Sequence, residues 1–351
     1  MHTFWKKKQF WGSLIALLLL AYCVEDINPD DLRQIAGRVS LYYLIPTILL
    51  SFAMIIFKAL RWKTIVEKTK KISVGRIIPM FSAAQVINIV MPALTGQVGR
   101  IMLFARKEGL SKSYVFSTVV LEVLFDAISL LIFIVTLSAA SFAFPPEYRQ
   151  VGFIIGFATV GLLALLYLIL HYEEPIGRMG KKLLRGRWPG VYITLKKFSR
   201  SFTQGIEMLK SSQYFIKTLF YSLASWISHI LVIYYLFKAF GLKLPILAAT
   251  VVMVVNTIAL MIPITPGNAG TFELAVVASL LAFKTVKTDA VMFALALHII
   301  DLIPIFVMGS LFIFSKRVTI KEMKELQEEG EKEEVMSVEE DSKLLPEEDK
   351  V

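Results

Sequence analysis

The chain has 351 residues, of which 56% are hydrophobic and only 19% charged, with a formal net charge of +10. A soluble domain is ~45–50% apolar and ~25% charged, so these proportions exclude an ordinary soluble enzyme. They also argue against nucleic acid, because the basic residues flank apolar blocks and suit the anionic cytoplasmic leaflet, and the single cysteine, Cys23, excludes an intramolecular disulfide.

The first apolar run covers residues 10–24 and follows Lys6, Lys7 and Lys8. That pattern fits a signal peptide or a retained first helix. Tyr22 is too large for the position before a lipoprotein cysteine, which favours the retained helix. Further apolar blocks cover 42–60, 114–133, 151–170, 221–240 and 291–314. Crossing the hydrocarbon takes ~20 residues of helix, and lipid offers no partners for backbone groups, so these blocks are predicted helices. No alternating short segments of a β-barrel are visible.

Dense Lys and Arg clusters at 6–8, 61–76, 106–112, 178–210 and 316–324 place those segments, and both termini, in the cytoplasm. Segments 25–40 and 144–150 are poor in Lys and Arg and are expected outside. Residues 77–90 are apolar but have basic clusters on both sides, so a single crossing would strand one of them. A hairpin entering and leaving from the cytoplasm resolves this, with its tip at 91–99, where Pro92, Gly96 and Gly99 interrupt the helix. A second hairpin is predicted over 244–283, with its tip at Pro263, Pro266, Gly267 and Gly270. Both tips read Pro-x-x-x-Gly-x-x-Gly, a pattern that 13 prolines and 19 glycines seldom produce twice by chance.

The predicted fold is therefore an all-α polytopic membrane protein: six full spans and two re-entrant hairpins, eight hydrophobic segments in all. Residues 10–142 and 151–314 each read as helix, helix, hairpin, helix. Three crossings per unit is an odd number, so the repeat is expected to be inverted, as in many transporters. The plainer alternative is eight ordinary spans kinked at proline. Between the halves, 173–213 carries Leu195, Phe198, Phe202, Ile206 and Leu209 at helical spacing among Lys196, Lys197 and Arg200. This suits a helix on the membrane surface or beneath the bundle. The membrane domain is taken as 1–318, and 319–351 as an acidic, solvated tail.

Ionisable groups within spans are the candidate chemistry, since each costs at least ~2.5–3.5 kcal/mol to insert. Glu122 and Asp126 lie four apart on one predicted helix face and call for a cavity, a cation or a shared proton. Arg100, directly after the first tip, is the obvious cation. Arg61, beside Trp62, suits either an interfacial anchor or the polar path. Glu273 follows the second tip. His298 and Asp301, one turn apart, suit either a satisfied intramembrane pair or the polar path. With Glu273 they could supply metal ligands, but no metal-binding spacing is visible. Asn88 could satisfy backbone groups freed at the first tip, and helix ends at the tips suit a phosphate. No phosphate loop, dinucleotide fingerprint, nucleophile elbow or zinc helix is present, and no cofactor is implied.

Several of these residues resemble a known family. Arg61-Trp62, Asn88, Pro92, Gly96, Gly99, Arg100, Glu122 and Asp126 are similar to the flippase-like membrane region of lysylphosphatidylglycerol synthases and its free-standing relatives. So are Pro266-Gly267, Gly270 and Glu273, and the resemblance covers about residues 8–318. Gln97 stands where the family usually has Glu, Val123 where it usually has Arg, and His298 where an Arg is common. These departures remove charge from the presumed path.

The resemblance implies movement of a phosphate-headgroup lipid between leaflets. The lipid would be anionic or aminoacylated, or a polyprenyl phosphate. The separate aminoacyl-transferase domain is not expected here, so the chain is not read as an enzyme. The alternatives are an intramembrane lipid-phosphate enzyme using Glu122, Asp126 or His298, and a non-catalytic partner of a membrane-bound synthase or glycosyltransferase. The expected location is the cytoplasmic membrane. The orientation has a direct check. In a Cys23→Ser background, a cysteine at position 190 is expected to resist an impermeant thiol reagent applied outside intact cells, and efficient labelling would overturn the topology.

Overall fold

The computed structural model describes residues 2–25, 29–90, 93–139, 189–261 and 265–317, with isolated positions between 157 and 168. The expected span at 151–170, the outer loop at 144–150 and the tail at 319–351 lie essentially outside these. Eleven α-helices are described: α1 (His2–Val24), α2 (Pro29–Arg38), α3 (Leu41–Val66), α4 (Val74–Val90), α5 (Ala93–Glu108) and α6 (Lys112–Ala139). They continue with α7 (Pro189–Ile206), α8 (Ser212–Ala239), α9 (Ile246–Ala259), α10 (Thr271–Ala282) and α11 (Lys287–Phe312). Among the described residues every regular element is helical.

The protein is an all-α membrane protein. Four helices are long and apolar enough to cross a bilayer: Leu41–Val66, Lys112–Leu137, Ser212–Ala239 and Lys287–Ser315. The helix α1 adds the shorter apolar stretch Ser13–Val24. Large apolar side chains such as Leu49, Val135, Phe220 and Leu311 point outward and are each more than half exposed. That surface is unsuited to water and matches lipid tails. Pro46, Pro79 and Pro304 sit inside helices, which packed membrane bundles tolerate because neighbouring groups satisfy the freed carbonyls.

The two expected hairpins are present as helix pairs. At 1.5 Å per residue, α4 with 17 residues is about 26 Å long and α10 with 12 residues about 18 Å. Both fall short of the ~30 Å hydrocarbon. In the first pair, Arg76 at the start of α4 donates to the Lys107 carbonyl at the end of α5 (2.8 Å) and pairs with Glu108. Its two ends therefore emerge together. One detail differs from the sequence expectation. Gly96 and Gly99 lie inside α5, not in a turn. Gly96 instead permits close packing, because a Cβ there would stand 2.8 Å from the Asn88 carbonyl oxygen. In the second pair, the turn Pro266–Asn268 is a short 3₁₀ segment, and Gly267 and Gly270 have φ of 60° and 83°. The two tips meet: a Cβ on Gly267 would lie 3.5 Å from Ile89 Cγ2.

The packing is symmetric under one exchange. Swapping α3 with α8, α4 with α9, α5 with α10 and α6 with α11 maps the packed pairs onto one another. Thus α4 packs on α11 as α9 packs on α6, and α3 packs on α8 at the centre. One apolar core surrounds Val232, Val252, Val276 and Leu297, and another surrounds Trp62, Met80 and Phe104. Trp62 stacks on Phe104 at 3.9 Å and donates its indole N–H to Thr118 Oγ1 (3.1 Å). The helix α7 packs on α6, so at its described end it serves as a packing helix under the bundle. At the rim, Lys63 holds the Glu67 carboxyl below the usual carboxylate range, with Lys217 assisting from α8.

Gly270 is doubly constrained, by its positive φ and by α1, whose Ala16 carbonyl oxygen would lie 2.8 Å from an added Cβ. Gly270→Ala is expected to lose about 1–3 kcal/mol, read as a lower thermal midpoint in detergent. Gly75→Ala, whose Cβ would meet nothing within 4 Å, is expected to leave the midpoint unchanged.

Candidate functional site

Three helices bring charge into the bundle centre, and a fourth, α8, adds hydrogen-bonding groups. The spacing of Glu122 and Asp126 puts both carboxylates on the face of α6 that meets α3 and α5. Arg61 on α3 forms a two-pronged pair with Asp126: Nη1 to Oδ1 at 2.5 Å and Nη2 to Oδ2 at 3.1 Å. The same guanidinium lies 3.8 Å from Glu122, and Arg100 on α5 donates to the other Glu122 oxygen. From α8, Ser222 accepts from Arg61 (3.1 Å) and the Trp226 indole donates to Asp126 (2.9 Å). Ser129 and Ser222 share a further hydrogen bond at 2.9 Å. Two cations and two acids thus neutralise one another, which the cost of buried charge demands. A planar guanidinium suits this role because its fork matches a carboxylate.

A second polar cluster lies around the second tip. His298 Nδ1 is 2.7 Å from Glu273 Oε1, and Nε2 is 3.2 Å from the Gly267 carbonyl oxygen. The other Glu273 oxygen accepts from the Gly270 N–H (2.7 Å). Phe272 stacks on the imidazole at 4.3 Å. Asp301 pairs instead with His229 of α8, at 3.1 Å. Of the two roles that the spacing of His298 and Asp301 suits, the mutual pair does not form: each bonds to a residue on another helix. At the second tip Glu273 accepts a hydrogen bond from one of the N–H groups at the start of α10, that of Gly270.

Between the tips lies a cavity of two lobes, ≈ 600 Å³ and ≈ 520 Å³. Lys58, Gln85, Asn88, Asp126, Gly267 and Asn268 line both. Arg61, Gln97, Arg100 and Glu122 belong to the first lobe, and Trp226, His229, His298 and Asp301 to the second. Lys58 stands out. Its ammonium sits 5.3 Å from the Trp226 ring centroid and forms no ion pair among the described residues. Also in the second lobe, Asn256 Oδ1 and Asp301 Oδ1 are buried without a hydrogen-bond partner among the described residues. Among the described residues no group of three or more His, Cys, Asp or Glu is gathered for a metal.

Of the residues singled out from sequence, Arg61, Asn88, Arg100, Glu122, Asp126, Gly267, His298 and Asp301 line this cavity. Arg61 is buried at 3% exposure rather than anchored at an interface. Glu273 is not among the lining residues; it caps α10 and reaches the cavity only through His298. Gly96 shapes helix packing, Pro266 and Gly270 shape the tip, and Gly99 lies within α5. Sequence reading missed Lys58, Trp226, His229 and the Ser222 hydroxyl. The signal for Lys58 and His229 was available, since each is an ionisable residue inside an apolar block.

Residues 9–309 match the family described as the lysylphosphatidylglycerol synthase TM region. The chain belongs to that family. It is 22% identical over 280 residues to a UPF0104 membrane protein of Methanothermobacter thermautotrophicus, covering 74% of this chain and 81% of that protein. It is also 22% identical over 332 residues to a UPF0104 membrane protein of Pyrococcus horikoshii, covering 88% and 96%. The three departures from the family pattern noted above, Gln97, Val123 and His298, all face the cavity.

Because Arg100 and Glu122 are both buried and directly paired, removing either partner alone is expected to be costly. Arg100→Met and Glu122→Gln should each lose about 3–5 kcal/mol, while the double variant should cost less than their sum by at least ~1 kcal/mol. Unfolding of the four proteins in detergent completes the cycle, and additive losses would contradict direct pairing.

Proposed function

We propose that the protein translocates a phosphate-headgroup lipid between the leaflets of the cytoplasmic membrane, without changing it chemically. The observation that carries this reading is a charged, hydrogen-bonding cavity between two broken helix pairs inside an otherwise apolar bundle. Such a cavity lets a headgroup cross while the acyl tails stay in lipid. The family's description ties it to lipid synthases of the membrane, and packing symmetric under exchange of the halves suits alternating access. The distribution of Lys and Arg supports a cytoplasmic location for both termini.

The cavity's charges point to the group that receives the headgroup. Arg61 and Arg100 are already neutralised by Glu122 and Asp126. Lys58 is the cation left facing both lobes, so it meets the phosphate. Asn256 Oδ1 and Asp301 Oδ1 accept hydrogen bonds from hydroxyl or ammonium groups on the headgroup. The residues around Gln97 and Val123 shape the first lobe and thereby its selectivity.

Purified protein in proteoliposomes tests this. The probe is an anionic phospholipid labelled on its acyl chain, read by chemical quenching of the outer leaflet. The wild type is expected to exceed protein-free vesicles, with the lipid recovered unmodified by mass spectrometry. Lys58→Gln is expected to slow transfer at least about tenfold, the loss of one charge-assisted contact, and the exposed Lys68→Gln to leave it unchanged. Wild-type rates equal to those of empty vesicles, or a chemically altered lipid, would overturn the proposal.

A further inference from the structure

We infer that Glu273 and His298 form a one-proton binding site that latches the second hairpin tip, and that lipid transit is coupled to that proton. The argument counts hydrogens. Both ring nitrogens of His298 face oxygen acceptors, Glu273 Oε1 at 2.7 Å and the Gly267 carbonyl at 3.2 Å. A neutral imidazole carries one N–H, and a carboxylate carries none. A neutral ring beside a carboxylate can therefore make only one of these bonds. Making both takes one further proton, held either as an imidazolium or as a protonated Glu273 donating to Nδ1. The proton belongs to the pair, whichever atom carries it.

Its loss has a structural consequence. When the pair gives up one proton to the cavity, the remaining ring N–H goes to the charged carboxylate, the stronger acceptor. The Gly267 carbonyl then loses its donor. Gly267 is one of the positive-φ residues of the second tip and stands against Ile89 at the end of α4, where the tips meet. The proton thus controls a hydrogen bond that ties this tip to α11.

The surroundings fit a site that senses the headgroup. Around the pair stand Lys58 on α3, Asp126 on α6, His229 on α8 and Asp301 on α11, all lining the same lobe as His298. Cys23 of α1 is buried in the core beside Phe272, and α4 adds only the neutral Gln85 and Asn88. An anionic headgroup arriving in this lobe favours the protonated pair. By linkage the proton favours the headgroup equally, so the two travel together. The coupling half rests on the lipid-transport reading above; the proton site stands on the geometry alone.

Two measurements separate these halves. Amide hydrogen exchange of residues 267–270, on the full chain in detergent and corrected for intrinsic pH dependence, reads the latch. The wild type is expected to exchange about tenfold faster at pH 8 than at pH 5.5, the range over which histidine changes charge. His298→Gln and Glu273→Gln are each expected to lose that dependence. A flat wild-type profile, or the same dependence retained in either variant, overturns the proton site. In proteoliposomes, a pH gradient is expected to change the rate of anionic-lipid transfer several-fold in the wild type and not in His298→Gln. Transfer indifferent to the gradient overturns the coupling. Failure of the wild type to move lipid at all overturns the transport reading and the coupling with it, while the exchange measurement still decides the proton site.

Discussion

The charge network centred on Arg61 is the constraint around which the rest of this molecule is arranged. One guanidinium on α3 joins both acids of α6 and a hydroxyl of α8, and Arg100 on α5 completes the neutralisation. In hydrocarbon, none of these groups is tolerable alone. The helices that carry them must therefore stay packed with this face inward, and their opposite faces are left to lipid. Seen this way, the exposed Leu and Val side chains and the buried charges are two results of one partition.

That network balances its own charge, and this changes where the chemistry falls. Arginines that are matched by carboxylates act as structure first. Their pairing leaves Lys58, the Asn256 amide and the two histidine–carboxylate pairs as the groups able to respond to something entering the cavity. The symmetric packing places the acidic helix α6 and the histidine-bearing α11 in equivalent positions. One half of the molecule supplies the neutralised charge cluster, and the other supplies the two histidine–carboxylate pairs. A pseudo-symmetric scaffold with chemically different halves can have two arrangements of unequal energy.

Glycine has two distinct uses here, and sequence pattern alone merges them. At Gly267 and Gly270 the backbone enters the positive-φ region, so the residue permits the turn. At Gly96 the backbone is helical, and the missing side chain lets α4 and α5 approach closely. The matching Pro-x-x-x-Gly-x-x-Gly strings therefore do not mark equivalent turns. The first glycines lie one helical turn past the break, the second within it.

By itself the sequence determined the membrane class, the all-α fold, the two interrupted hairpins and the family. These follow from local quantities: block length, hydropathy, helix breakers and motif spacing. It also brought out Arg61, Arg100, Glu122 and Asp126, because charge in an apolar block is costly wherever the block ends up. Tertiary structure alone decided who pairs with whom. His298 lies one turn from Asp301 yet binds Glu273, and Asp301 binds His229, because the cavity-facing directions of α8, α10 and α11 are fixed only when the helices pack. Among the described residues Lys58 emerged as a cation without an ion pair for the same reason: whether a charge is free depends on every other charge near it, and that sum exists only in three dimensions.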